Sequence, residues 1–148
     1  MSALLDRLRG DQTLALKAGD RLRLGTLRLL SSELTNRRIE LGRELTDDEV
    51  IGVLTRARKQ RLESEEQFTR GARPELAARE AAEAVIIQEY LPAPLDEAAL
   101  DALIGEAIAE TGATGVKQMG AVMAQLRPAI IGRADAAVVS RKVRDRLA

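Results

Sequence analysis

The side chains whose type and spacing suggest a chemical role are basic and lie near the end of the chain. Residues 112–148 carry seven Lys or Arg residues against two Asp residues, whereas residues 96–110 carry five acidic residues and no basic one. The formal net charge of zero therefore hides a basic segment beside an acidic one. Such a segment is suited to the phosphate backbone of a nucleic acid. The candidate RNA-binding residues are Lys117, Arg133, Arg141, Lys142, Arg144 and Arg146.

A structural interpretation of the same pattern is equally open. Basic residues in the last turn of a helix are stabilised by the helix dipole, and the acidic segment could pair with the basic one. Arg outnumbers Lys by 19 to 4 over the chain, so the arginines of this segment can reflect a general preference. The pattern alone leaves an RNA-binding surface and a solvated helix face as alternatives.

The residue types that most often perform catalysis are missing. The sequence contains no His and no Cys, which removes the commonest general bases, nucleophiles and zinc ligands. The glutamates that follow Arg61 have the spacing of a solvated helix face with neighbouring charges. No glycine-rich phosphate-binding loop is present. We therefore expect no catalytic residue, no cofactor and no metal ion. The glutamates concerned are Glu63, Glu65 and Glu66.

Composition limits the class of protein. A chain of 148 residues forms one domain or two small lobes. Its first residues lack the pattern of a signal peptide, and the uncharged run at residues 118–126 is far shorter than a membrane span of about 20 residues. The sequence predicts a soluble cytoplasmic protein that does not enter a membrane. Phe68 and Tyr90 are the only aromatic residues, so base stacking is essentially unavailable for binding nucleic acid.

Helices must position these residues, because no segment alternates apolar and polar side chains with the period of a strand. The sequence predicts an all-α protein with a four-helix N-terminal lobe, residues 1–91, and a three-helix C-terminal lobe, residues 95–148. Pro92 and Pro94 mark the linker between them, residues 92–94, because proline interrupts a helix. The helices of the first lobe are predicted to begin after Ser2, at Arg21, at Asp47 and at Pro74.

Several helix ends carry recognisable signals. Thr46 and Glu49 have the spacing of a capping box, and Asp96 and Asp135 are suited to N-cap positions. Gly42 is suited to end a helix with a left-handed backbone. These signals fix the predicted starts of three helices and the end of a fourth.

Two helices of the first lobe carry predictions about packing. Leu27 and Leu34 lie on one face of the second helix and Leu22 and Leu29 on another, which predicts that this helix is covered on two sides. The second half of the third helix, residues 59–70, has few large apolar side chains. We expect that half to project into solvent or toward a partner.

Residues 115–135 form the most distinctive stretch. A helical wheel places Val116, Met119, Gly120, Met123 and Leu126 on one face. Gly120 is thus predicted on the buried side, where it would admit a neighbouring helix. Pro128 is predicted to end this helix. Gly132 begins a tight turn that directs Arg133 outward, and Asp135 starts the last helix.

The spacing of Lys117, Met119, Gly120, Val122 and Met123, followed by residues 132–135 and Val139, resembles the GatB/YqeY family. This family includes small YqeY-like proteins and the tail domain of the B subunit of the glutamine-dependent aminoacyl-tRNA amidotransferase. Residues 41–46, 59–61 and 89–92 are similar to its small free-standing members, and the resemblance covers nearly the whole chain. The motif residues with expected structural roles are Met119, Gly120, Met123, Gly132 and Asp135.

The resemblance implies a C-terminal lobe similar to the amidotransferase tail, which is associated with gripping tRNA while other domains perform the chemistry. The first hypothesis is a non-catalytic, tRNA-associated accessory protein. The alternatives are a protein–protein interaction module and an amidotransferase component with carbon–nitrogen ligase activity that uses glutamine as amide donor. The expected partners are tRNA, an amidotransferase or another protein.

Overall fold

The computed structural model describes residues 2–148, and within that range it contains seven α-helices, one short 3-10 helix and no β-strand. The 3-10 helix, Val116–Gln118, lies directly before the sixth α-helix. The predicted all-α class is confirmed. In chain order the α-helices are α1 (Ala3–Ala18), α2 (Arg21–Leu41), α3 (Asp47–Arg70), α4 (Pro74–Gln88), α5 (Glu97–Thr111), α6 (Met119–Ile130) and α7 (Ala136–Leu147).

Side chains at the helix ends bond to the backbone as the sequence predicts. Thr46 Oγ1 accepts the Glu49 N–H at 3.2 Å, and Glu49 Oε1 accepts the Thr46 N–H at 3.0 Å, which completes the capping box of α3. Asp96 and Asp135 cap α5 and α7, each accepting a backbone N–H of the first turn. Gly42 ends α2 with φ 68°, a conformation that glycine adopts without steric cost.

The helices form two compact units, one ending at Leu91 and the other comprising Pro92–Ala148. The N-terminal unit contains α1 to α4, and α3 and α4 form its most extensive helix pair. Its apolar core stabilises the unit by roughly 1.5–3 kcal/mol for each large side chain that is fully buried. Core residues from all four helices include Leu8, Leu27, Leu30, Leu54 and Ile87.

Helix α2 is covered on one side and not on two. Leu27 and Leu34 are buried, as the sequence predicts, but Leu22 is 38% exposed and Leu29 is 51% exposed. The prediction of two-sided packing is therefore wrong. It failed because periodicity shows which side chains share a face, whereas the neighbours of that face depend on the tertiary fold.

The second half of α3 does not project away from the unit, contrary to the prediction. Helix α4 packs along it, and Arg61 is only 9% exposed. Arg61 Nε lies 3.5 Å from a carboxylate oxygen of Glu83 on α4, and Arg61 Nη1 lies 3.5 Å from Glu33 on α2. The prediction treated only apolar side chains as packing residues, whereas the aliphatic stem of a paired arginine also covers a helix surface.

The C-terminal unit packs α5, α6 and α7 around one apolar core. Val139, Val143 and Leu147 form the buried stripe of α7 that the sequence predicts. The partly buried side chains of Met119 and Met123 pack against this core. The other buried members are Leu100, Ile104 and Ala107 of α5 and Val122, Leu126 and Ile130 of α6.

The predicted buried face of α6 is confirmed for Met119, Met123 and Leu126 but is wrong for Val116 and Gly120. Gly120 is exposed, and a Cβ atom placed on it would have no neighbour within 4 Å, so it does not admit another helix. Val116 is 44% exposed, whereas Val122, for which no face was predicted, is completely buried. Val116 leaves the face because it lies in the 3-10 helix, whose tighter winding changes its angle to the residues that follow. Gly120 and Val122 lie at opposite edges of the α6 face, and the core covers the edge of Val122.

Proline 128 does not end α6, contrary to the prediction. The helix continues to Ile130 with Pro128 inside it. Proline removes the hydrogen bond that the Ala124 carbonyl would otherwise receive. Both Ala124 and Pro128 are exposed, so that carbonyl can bond to water and the helix tolerates the proline.

The turn after α6 holds Arg133 in place instead of directing it outward. Gly132 has φ 70°, which favours glycine. Arg133 is half-buried, and its Nε donates to the Ala93 carbonyl at 2.9 Å. The Leu95 N–H donates to the Arg133 carbonyl at 2.9 Å. Arg133 therefore ties the first residues of the C-terminal unit to this turn.

Candidate functional site

Two of the predicted basic candidates join α7 to α5. Lys142 Nζ lies 3.0 Å from Asp101 Oδ1 and 3.1 Å from Glu97 Oε1, and hydrogen bonds from these carboxylates raise the pKa of Lys142. Arg146 Nη1 donates to the Asp101 carbonyl at 2.9 Å, and its guanidinium group lies against Gly105. For these two residues, pairing between the acidic and basic segments accounts for the sequence pattern.

Four other basic residues of this unit are open to solvent. Arg141 and Arg144 are exposed and three positions apart on α7, so their side chains are neighbours on one face. Lys117 and Arg127 are exposed as well. Within residues 2–148, none of the four has an ion-pair partner. We call Lys117, Arg127, Arg141 and Arg144 the open basic set.

Arg127 was not among the predicted candidates. The sequence includes it in the basic segment, and the structure places it exposed on α6. The structure thus separates the predicted basic residues into Lys117, Arg141 and Arg144, which are open, and Arg133, Lys142 and Arg146, which bond within the unit.

The backbone next to Lys117 is held by Gln118. Gln118 Oε1 accepts the Thr114 N–H at 2.6 Å and the Gly115 N–H at 3.1 Å. These bonds give the connection between α5 and α6 a fixed shape. Lys117 therefore extends from an ordered turn, although its side chain is exposed.

A second charged site lies between α3 and α4 of the N-terminal unit. Glu83 is only 7% exposed, and its carboxylate lies 3.5 Å from Arg61 Nε and 3.6 Å from Arg79 Nε. Arg61 was predicted to share a solvated face with the glutamates that follow it, and for Arg61 that prediction is wrong because α4 covers it. Of those glutamates, Glu63 and Glu66 are exposed and Glu65 is half-buried.

A groove of about 580 Å³ lies beside this ion cluster. Its lining includes the apolar side chains of Leu29, Phe68 and Leu76 together with charged residues of α3 and α4. Glu80, one of these charged residues, is half-buried, and its pKa is raised by burial and by the neighbouring charge of Glu83. The groove thus combines an apolar surface with a carboxyl group whose charge is poorly solvated.

The Glu89–Tyr90 pair of the family motif is fixed by three contacts. Arg23 Nη1 lies 2.6 Å from Glu89 Oε2, and this hydrogen bond lowers the pKa of Glu89. Tyr90 donates to Asp11 Oδ2 at 2.5 Å, and the Arg7 guanidinium carbon lies 4.6 Å from the centre of the Tyr90 ring. Burial and the Asp11 carboxylate raise the pKa of Tyr90. These contacts hold the end of α4 against α1 and α2.

Residues 2–148 contain neither a cluster typical of a metal site nor a helix typical of a membrane span. No group of three or more Asp and Glu side chains in this range is arranged to hold a metal ion. Every helix in the same range is too short or too polar to cross a membrane.

Comparisons with known proteins match the chain to a family model and to a curated relative. A family model described as "Yqey-like protein" matches residues 5–147, a range that reaches from α1 to the last residue of α7. The chain is also 27% identical over 148 residues to "Altered inheritance of mitochondria protein 41, mitochondrial" from Pyrenophora tritici-repentis (strain Pt-1C-BFP). That alignment covers 97% of this chain and 81% of the relative.

Proposed function

The chain belongs to the YqeY-like protein family, and on that premise we propose that it is a non-catalytic accessory protein that binds tRNA. The proposal also uses the resemblance of residues 115–135 to the tail of the amidotransferase B subunit. In that enzyme the tail is associated with gripping tRNA. Binding is assigned to the predicted C-terminal lobe, residues 95–148, and no residue is assigned a catalytic role.

The observation that carries the proposal is the open basic set. Its four side chains are exposed and have no ion-pair partner within residues 2–148, so their charges are available to a phosphate backbone. Three acidic residues of α5 are already engaged elsewhere, because Asp101 and Glu97 pair with Lys142 and Glu110 accepts a hydrogen bond from Gln125. A predominantly electrostatic contact of this kind positions a folded RNA without reading its sequence.

A titration of labelled tRNA with the full chain tests the proposal. At physiological salt we expect a Kd of about 1 to 100 μM, the range of non-specific electrostatic binding. Replacing the whole open basic set by Ala should weaken binding at least tenfold. The matched control removes four exposed arginines of the N-terminal unit and should leave Kd unchanged. The control residues are Arg21, Arg28, Arg56 and Arg73.

Two results would contradict the proposal. One is the absence of tRNA binding by the wild-type chain at low salt. The other is an equal loss of affinity in the two quadruple variants, which would mean that total charge matters and the open basic set does not. Circular dichroism of both variants should match the wild type, because all eight side chains are exposed.

A protein–protein interaction module is the second candidate function. The observation in its favour is the groove beside Arg61, where Leu29 is 51% exposed. Purification of the native protein distinguishes the two candidate functions. RNA that accompanies the chain and is removed by ribonuclease supports tRNA binding. A stoichiometric protein partner that survives ribonuclease supports the second.

A further inference from the structure

The groove of the N-terminal unit has a regular geometry. Helices α3 and α4 are joined by a short turn, residues 71–73, and run antiparallel. Residues equally distant from Ala72 therefore face each other, which pairs Arg61 with Glu83, as their contact confirms. The same rule pairs Ser64 with Glu80 and Phe68 with Leu76, and all four of these residues line the groove. Residues 60–68 extend about 12 Å, the length of roughly two helical turns.

Some charged side chains of the groove have ion-pair partners and others do not. Arg61 and Arg79 both lie within 3.6 Å of Glu83, and Arg61 also lies 3.5 Å from Glu33, so both bases in the lining have carboxylate partners. Glu80 has no hydrogen bond or ion pair within residues 2–148, although it is half-buried. Glu63, also in the lining, is exposed and without a partner in the same range. The unpaired charge of the groove is therefore negative.

Apolar surface continues from the groove to its edges. Phe68 and Leu76 are half-buried in its lining, and Leu29 of α2 is 51% exposed at its rim. Leu29 belongs to the second apolar face of α2, which the N-terminal unit leaves uncovered. An apolar surface beside unpaired carboxylates is complementary to a segment that carries apolar and basic side chains on neighbouring positions.

We propose that this groove binds an amphipathic helix of a partner protein, which places one or two leucine-like side chains against Leu29, Phe68 and Leu76 and a Lys or Arg beside Glu80. A bound cation would offset the burial of that carboxylate. The length of the groove suits apolar residues at positions i and i+4 of the partner helix. This inference goes beyond tRNA binding and does not depend on it, because the open basic set lies in the other unit.

The test uses two synthetic helical peptides of about 15 residues with the same leucine positions, one carrying Arg and the other Glu at the remaining polar positions. The full chain, labelled with nitrogen-15, is titrated with each peptide. We expect the Arg peptide to shift the amide signals of residues 60–68 and 76–83, and the Glu peptide to leave them unchanged. The variant Leu29→Ala should weaken binding about fivefold, because the exposed part of one leucine is lost. Leu29 is exposed, so this change should not unfold the chain.

The variant Glu80→Gln tests the role of this carboxylate, and Glu75→Gln is its matched control. Both positions are on α4, but Glu75 is exposed and outside the groove. We expect Glu80→Gln to weaken binding of the Arg peptide about threefold to fivefold, the size of a partly exposed ion pair, and Glu75→Gln to have no effect. The proposal is overturned if the two variants bind alike, if both peptides bind equally, or if neither binds. Concentration-dependent signal shifts at the groove without peptide would instead assign it to a second copy of the chain.

Discussion

Glu49 illustrates how much one carboxylate contributes to the start of a helix. It accepts the Thr46 N–H and two hydrogen bonds from Arg43, at 2.7 and 2.9 Å. The Arg43 hydrogen bonds, followed by that of the Thr46 N–H, lower the pKa of Glu49 to about 2. The charged form is thus the one that the folded chain favours.

A pH dependence follows from that shift. Because the folded-state pKa lies below the ordinary glutamate pKa of 4.5, the stabilisation by Glu49 is complete above pH 4.5 and is lost as the pH falls toward 2. We expect the Tm of the wild type to fall over this interval and the Tm of Glu49→Gln to fall less. Thermal unfolding from pH 2 to pH 6 measures this. Parallel Tm profiles for the two proteins would contradict it.

Gly120 offers a test of the corrected buried face of α6. A Cβ atom at Gly120 meets nothing within 4 Å, and its backbone is helical, so Gly120→Ala should stabilise the chain by about 0.5 kcal/mol. Gly112→Ala is the matched control, since its Cβ also meets nothing but φ is 65°. That variant should destabilise by about 1 kcal/mol. Urea unfolding measures both, and destabilisation by Gly120→Ala would restore the buried position predicted from the sequence.

The contacts of individual side chains were the hardest feature to predict from the sequence. The sequence placed Lys142 and Arg146 beside the apolar stripe of α7, but it contained no information on which carboxylates of α5 they meet. Arg133 was assigned to the solvent because a turn exposes most side chains, whereas its Nε bonds to the Ala93 carbonyl, 40 positions earlier in the chain. Contacts across such separations depend on the packing of whole helices, so they require coordinates.

Helix ends were predictable because their signals are local. The capping box of Thr46 and Glu49, the N-cap at Asp96 and the left-handed Gly42 each involve residues within one turn. The burial of Val122 and the exposure of Gly120 were not, because these residues lie at opposite edges of the α6 face and the packing of the unit decides which edge is covered. The burial of Arg61 was in principle accessible: the short turn at residues 71–73 pairs it with Glu83.

The linker, residues 92–94, is a proposed boundary that proteolysis can test. We expect a protease of broad specificity, used at low ratio, to cut first within residues 88–98 and to leave two helical fragments. Ala93 and Pro94 are exposed, whereas Arg133 holds Ala93 through one side-chain hydrogen bond. Arg133→Ala should therefore accelerate this cleavage. First cuts inside α3 or α6, mapped by mass spectrometry, would contradict the proposed boundary.

The whole chain is proposed to bind and not to catalyse. It contains no His and no Cys, and the carboxylates that the sequence placed beside Arg61 are mostly exposed. We expect the purified protein to release no ammonia from glutamine. Ammonia release that follows the protein through a further column and disappears on mutation of one of its carboxylates would contradict this. Such a result would favour the alternative with carbon–nitrogen ligase activity.

The total charge of the chain limits how it can attract RNA. A net charge of zero predicts no general attraction to RNA. Any binding must therefore come from particular basic side chains, and within residues 2–148 the open basic set has no ion-pair partner, whereas Lys142 and Arg146 are bonded to α5. The number of basic side chains that reach phosphates then determines how steeply affinity depends on salt.

The salt dependence of the affinity for tRNA measures the number of basic side chains that reach phosphates. If the open basic set contacts phosphates, log K against log salt should have a slope of roughly −3 to −4, from about −0.7 to −0.9 for each contact. The double variant Arg141→Ala, Arg144→Ala should have a slope of about −1.5 to −2, because two contacts are lost. The double variant Arg21→Ala, Arg56→Ala should keep the wild-type slope. Identical slopes for all three proteins, or no tRNA binding at low salt, would show that this basic surface is a solvated helix face.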